Sequence, residues 1–181
     1  MKTLSCLLVS LALAQPALAA DYTVDADSTL GFTANFQGEA FDGTFRHFEA
    51  TIRYDPKDLA ASKFDVSVDL AGVATGDKDR DDTLPTSEFF NVAKFPKAHF
   101  VTTGFRKAGD GVVATGTLSL KGIDKPVELE VSFEPTERGA LLDVATTLHR
   151  LDFQVGTGDY ADTSTIGDEV RVKGHLVLTA K

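Results

Sequence analysis

The chain has 181 residues and carries 18 Lys and Arg against 27 Asp and Glu, a formal net charge of −9. That length suits a single domain that buries its own core. The acidic excess argues against nucleic acid and against anionic membrane surfaces as partners.

Residues 1–19 read as a cleavable secretory signal: Lys2 gives the positive start, Leu4 to Leu13 the apolar run, and Ala17-Leu18-Ala19 the small-residue cleavage site. The apolar run is shorter than the ~20 residues a spanning helix needs, so no stable membrane insertion is expected. Cys6 is the single cysteine, and it precedes most of the apolar run, which does not fit an acylated lipoprotein cysteine. Cleavage before Ala20 leaves residues 20–181 as one periplasmic domain without a disulfide.

Tyr22 to Val24 is a short strand, followed by turn residues at Asp25-Ala26-Asp27-Ser28. Leu30 to Phe36 alternates, with Leu30, Phe32, Ala34 and Phe36 on one face. A glycine-rich turn is expected at Gly38 and at Asp42-Gly43. Arg46 to Tyr54 places Phe48, Ala50, Ile52 and Tyr54 on one side. In the next strand Phe64, Val66, Val68 and Leu70 alternate strictly with Lys63, Asp65, Ser67 and Asp69, the mark of one wet and one buried face. Pro56 to Ala61 is a candidate for a helical turn between these two strands.

Asp77 to Phe100 breaks the pattern. It opens on the charge cluster Asp77-Lys78-Asp79-Arg80-Asp81-Asp82 and passes Leu84-Pro85, where proline blocks a strand. A helical turn is expected at Ser87-Glu88-Phe89-Phe90, with Thr86 as its N-cap. Loops this long are functional or disordered, and four apolar anchors (Leu84, Phe89, Phe90, Phe95) favour a docked flap.

Strands resume at Ala98 to Phe105 and, after Asp110-Gly111, at Val112 to Leu120. Lys121 to Pro126 reads as a turn. Val127, Leu129, Val131 and Phe133 then face inward, and Leu142 to Leu148 and Val170 to Leu178 complete eight to nine strands at hairpin spacing. A sandwich or a closed barrel can bury such faces, and eight strands in a barrel leave room for side chains or for one small ligand.

Chemical motifs are sparse. Asp77, Asp79, Asp81 and Glu88 match four positions of a calcium loop, but Asp82 stands where glycine is needed and Pro85 at the ninth position, so no metal is expected. His47, His99, His149 and His175 lack metal-ligand spacing. No nucleophile elbow, catalytic cysteine or phosphate-cradling loop occurs, so neither a cofactor nor enzymatic activity is expected. Arg150 is the charge of most interest: it pairs with Asp152 or a flap carboxylate, or it meets a polar head at a barrel mouth.

Four segments together resemble the YceI-like family of secreted lipid-binding proteins. They are Asp27-Ser28 with Leu30, Phe32, Gly43-Thr44-Phe45 and Phe48; Arg80-Asp81 with Leu84, Phe89-Phe90, Phe95-Pro96 and Phe100; Gly116 to Gly122 with Lys125-Pro126-Val127; and Arg150, Asp152-Phe153 with Ile166 to Val170. Their order over nearly the whole mature chain carries the resemblance. It departs at Asp27, where the family often has His, and at Gln154, where Gly is common, and both leave head-group preference open.

The resemblance implies an all-β fold, an antiparallel lipocalin-like barrel of about eight strands with a short helical flap, around an apolar tunnel that binds a polyisoprenoid such as an isoprenoid quinone or polyprenyl lipid. The expected ligand-binding residues are Phe32, Phe48, Ile52, Phe64, Val66, Val68, Leu70, Leu118, Leu129 and Val131 on the strands, Leu84, Phe89 and Phe90 on the flap, and Arg150 at the mouth. Other occupants, such as fatty acids, amides or hydrophobic antibiotics, stay open, as does a small hydrolase working through Asp81 or Asp152. The oligomeric state, monomer or dimer, also stays open.

Overall fold

Alternating apolar residues make strands, and here they make one continuous sheet. The computed structural model describes residues 20–181; the predicted signal and Cys6 lie outside them. Eleven strands pair antiparallel: β1 (Ala20–Val24), β2 (Thr29–Phe36), β3 (Glu39–Phe45), β4 (Phe48–Tyr54), β5 (Lys63–Asp69), β6 (Val73–Ala74), β7 (Lys97–Ala108), β8 (Gly111–Leu120), β9 (Ile123–Pro135), β10 (Gly139–His149) and β11 (Glu169–Ala180). Eight of them form a ring, β1-β4-β5-β7-β8-β9-β10-β11, which closes through the β1–β11 pair. Closure leaves the ring without an open edge. The spur β2-β3-β6 leaves β11 beside the ring.

The expected barrel is therefore present, and the strands beyond the nine expected are β3 and β6 of the spur. β1 and β2 run along the same edge of β11, Val24 opposite Leu178 and Thr29 opposite His175. They are one strand bent at the turn Asp25–Ser28. At the bend the Ser28 side chain replaces a ladder partner, accepting from the Val177 N–H at 3.0 Å.

Two turn expectations are corrected. Asp42-Gly43 lies inside β3, because Gly43 sits opposite Phe32 and a Cβ there would run into the Phe32 ring. Glycine in a strand marks such a close approach. The turn at Lys121 is only Lys121-Gly122, both with positive φ (51° and 77°), the backbone of a two-residue hairpin. Ile123 to Pro126 belongs to β9. The helical turn expected within Pro56 to Ala61 is present as a 3-10 turn at Leu59–Ala61.

The flap also folds differently from expectation. Its helix, α1, is Lys78–Thr83, inside the charge cluster, whereas Ser87 to Phe90 forms turns. Asp77 caps it by accepting from the Arg80 N–H at 3.0 Å, the acidic Asp79 and Asp81 stand in its first turn, and Lys78 pairs with Asp82. Cap, dipole and i,i+4 pairing each favour a helix here, and Pro85 follows its end. The chain misled because the cluster reads equally well as a solvated loop.

Two packed clusters fill the barrel ends. One holds Ile52, Tyr54, Phe64, Ala114, Leu142 and Leu176; Phe64 meets Phe105 edge-on at 4.9 Å, and Tyr54 meets Phe133 at 4.8 Å. The other lies under the flap and holds Phe32, Leu70, Phe89, Phe90, Phe153 and Val155. Burying a side chain the size of Phe64 or Leu70 contributes about 1.5–3 kcal/mol.

Candidate functional site

Between the two clusters the barrel wall turns apolar side chains inward without burying them fully. Register fixes the direction: Val66 lies opposite Ala50 on one side and Phe100 on the other, and Val68 opposite Phe48 and Ala98. Phe64 at one end of this face and Leu70 at the other are each 1% exposed, yet Val66, Val68, Phe48 and Ala50 between them are only half-buried. Leu129 and Val144 across the barrel are half-buried as well. This face is therefore closed at Phe64 and Leu70 and less completely buried between them.

The fourteen predicted residues thus do not share one lining. Ile52, Phe64 and Val131 are packed into the far-end cluster, with Phe48 and Leu129 against it. Phe32, Leu70, Phe89 and Phe90 belong to the flap-end cluster, with Val68, Leu84 and Leu118 against it. Val66 stands between. Phe153 and Val155 complete the flap-end cluster and were not predicted, although Asp152-Phe153 was part of a recognised segment.

The cover over the flap end has two halves. One is the flap, whose Phe90 reaches Phe45 at 6.4 Å. The other is the loop from Arg150 to Asp168, which puts Tyr160 on Phe89 at 5.0 Å. They meet at one carbonyl: Glu88 O accepts from Gly156 N at 2.8 Å and from Lys121 Nζ at 3.0 Å. Lys121 also donates to Gln154 O at 2.6 Å. The ammonium therefore ties the β8–β9 turn to both halves, and its burial lowers its pKa.

Arg150 organises the loop. It is 5% exposed, and all five of its N–H groups are used: Nε donates to Gly167 O, Nη1 to Val155 O and Gly156 O, and Nη2 to Tyr160 O and Ile166 O, at 2.6–3.0 Å. Burial lowers its pKa, and Asp168 opposes that. This corrects both readings of Arg150. Asp152 stands instead 3.8 Å from Lys125, and a guanidinium with five donors spent has none for a head group.

The other charges have structural tasks. Asp81 accepts from both the N–H and the hydroxyl of Thr75 at 2.7 Å, bonds that hold its pKa down. Arg80 lies 4.5 Å from the centre of the Phe41 ring. Three histidines each meet an aspartate on the outer surface: His99 with Asp65, His149 with Asp168 and His175 with Asp143, at 2.7–2.9 Å. None of these imidazoles bonds to a hydroxyl among the described residues. Among those residues no three His, Cys, Asp or Glu converge as metal ligands, and no helix is long and apolar enough to cross a membrane.

Comparison with known proteins agrees with this architecture. The model of the YceI-like domain matches residues 22–178. Proteins named YceI from Salmonella newport (strain SL254) and Salmonella heidelberg (strain SL476) are 40% identical over 119 residues, 63% of this chain and 62% of theirs, so the match spans less than two thirds of their length. BcnA of Burkholderia cenocepacia superposes with a TM-score of 0.82 at 30% identity, over 85% of this chain and 98% of its own. A Campylobacter jejuni YCEI protein does so at 0.67 and 25%, over 77% and 84%. A Saccharophagus degradans domain, described as polyisoprenoid-binding and implicated in plant cell wall breakdown, reaches 0.64 at 16% identity, over 91% and 99%, a likeness of fold alone.

Proposed function

Since the chain belongs to the YceI-like domain family, we propose that it is a periplasmic carrier that holds one long-chain isoprenoid lipid inside the barrel and performs no chemistry on it. The observation that carries this reading is the half-buried inward face of Phe48, Ala50, Val66 and Val68 between two packed ends. A packed core would have closed over these residues, since interiors tolerate few voids. An apolar hollow of this kind takes up an apolar chain, and the cover of flap and loop keeps the chain from water. The floor cluster then sets how deep a tail reaches, and Val66 and Val68 line its path.

The isoprenoid class fits a branched, flexible tail against a wall of mixed Val, Leu, Ala and Phe; the fold neighbour from Saccharophagus degradans is described as binding that class. Export fits the signal read in residues 1–19. Native mass spectrometry of the protein from its own host tests both points at once. The expected spectrum shows a chain beginning at Ala20 with one apolar lipid bound. A chain that retains Met1, or one that carries no lipid and takes none up when lipid is supplied, would contradict the reading.

A further inference from the structure

The two ends of the barrel are sealed in different ways. At the far end Ile52, Tyr54, Phe64 and Leu142 all sit on ring strands. Such side chains move aside only when ladder bonds break. At the flap end Phe89 and Phe90 are 7% and 8% exposed, yet they sit on no strand. Val68, on the half-buried band, packs against the cluster that these two rings complete.

The flap that carries them is bonded to itself. Asp81 holds Thr75, and Asp77 caps α1. Its main chain closes through Phe90 N to Leu84 O at 3.0 Å, Asn91 N to Thr86 O at 2.7 Å and Val92 N to Pro85 O at 3.0 Å. Among the described residues, every hydrogen bond between residues 75–95 and the rest of the chain ends on one atom, Glu88 O. Its donors are Gly156 N at 2.8 Å, Thr157 N at 3.4 Å and Lys121 Nζ at 3.0 Å. Beyond that atom the flap is docked by ring contacts: Phe89 on Tyr160, Phe90 on Phe45 and Arg80 on Phe41. The facing loop is rooted in the spur instead, where Thr165 O accepts from Gln37 N at 2.7 Å and Asn35 O from Gly167 N at 3.0 Å. A segment bonded within itself and latched at one atom moves as a unit.

Resting on the carrier reading above, we propose that residues 75–95 swing as one body, part from the loop at Glu88 O, and form the door through which the lipid enters and leaves. The body departs from the sheet after β6, a strand of two residues, and rejoins it at β7. Opening lifts Phe89 and Phe90 away from Val68 and uncovers the band. It also bares two phenyl rings to water, so the closed state dominates and opening sets the rate of exchange. Cys6 is the single cysteine and lies in the predicted signal, so a designed pair reports without interference. Glu88→Cys with Thr157→Cys places thiols on the two sides of the seam, joined by oxidation or, where the sulfurs do not meet, by a short bis-maleimide. The joined protein should take up and release a fluorescent prenyl probe roughly tenfold more slowly than the same protein unjoined. Lys121→Met removes one of the three donors and should exchange the probe severalfold faster than wild type. Equal rates in joined and unjoined protein would overturn the door while the carrier reading stands. A Lys121→Met protein no faster than wild type would overturn Glu88 O as the latch. A wild type that takes up no probe would remove the carrier reading and the door together.

Discussion

The ammonium of Lys121 donates to the main-chain oxygen of Glu88, 33 residues away, at 3.0 Å. With Gln154 O as second acceptor, one side chain holds the flap, the Arg150 loop and the β8–β9 turn in register. Lys121 fastens the cover beside the Gly156 N–H bond to the same oxygen and the Phe89–Tyr160 contact, so its removal should loosen the cover. Lys121→Met keeps the length of the side chain and deletes both bonds. Hydrogen exchange at Phe89, Phe90 and Gly156 should then quicken by an order of magnitude or more, about 1.5–3 kcal/mol of local opening, while the ring strands stay protected. Unchanged exchange in the flap would show that the apolar anchors alone hold it.

Arg150 should behave as a structural residue. Arg150→Lys keeps the charge, but an ammonium has three donors for the five carbonyls that Arg150 serves. The loss should be about 3 kcal/mol, a fall in melting temperature of roughly 6–12 °C for a domain of this size. A variant that melts normally and loses only lipid affinity would restore the head-group role.

The flap should loosen in acid from its Asp81 end. Bonds from Thr75 lower the Asp81 pKa, so its contribution is fully present above the ordinary aspartate value, about 3.9, and fades as pH falls through the lower folded value. NMR titration should find the Asp81 carboxyl below that ordinary value, with the Thr75 amide shifting in step. In Asp81→Asn the Thr75 amide should show no such titration. A wild-type Asp81 that titrates at the ordinary value would mean that the contact with Thr75 is not held in solution.

Val68→Phe separates a hollow from a core. Val68 points inward and is half-buried, so a phenyl ring would occupy the path assigned to the tail. Uptake of a prenyl probe should fall sharply with near-normal melting. A packed core would answer with an overpacking loss of about 1–3 kcal/mol and no uptake to lose.

Much of the barrel could be read from alternation, because each inward face obeys the period of two that burial on one side imposes. Phe64, Val66, Val68 and Leu70 were placed on the correct face in this way. What escaped depends on partners far along the chain. Nothing local to Arg150 tells that Ile166 and Gly167 offer it carbonyls, although both segments belong to the recurring pattern that signalled the family. Gln154 shows the same limit: it takes a left-handed φ of 55°, a conformation that favours glycine, the residue the resemblance leads one to expect there. Lys121 looked like an ordinary turn residue, since its two acceptors come from loops that only the closed barrel brings together. The half-burial of Val66 and Val68 was equally hidden, as periodicity gives the direction of a side chain and not how tightly its far side is filled.

The central claim is that the half-buried band between the two clusters receives an apolar chain. Titration of delipidated protein with a fluorescent prenyl probe tests it most directly. The account predicts saturable uptake of one probe per chain, abolished in Val68→Phe. Fluorescence that rises without saturation, or equally in wild type and Val68→Phe, would contradict it.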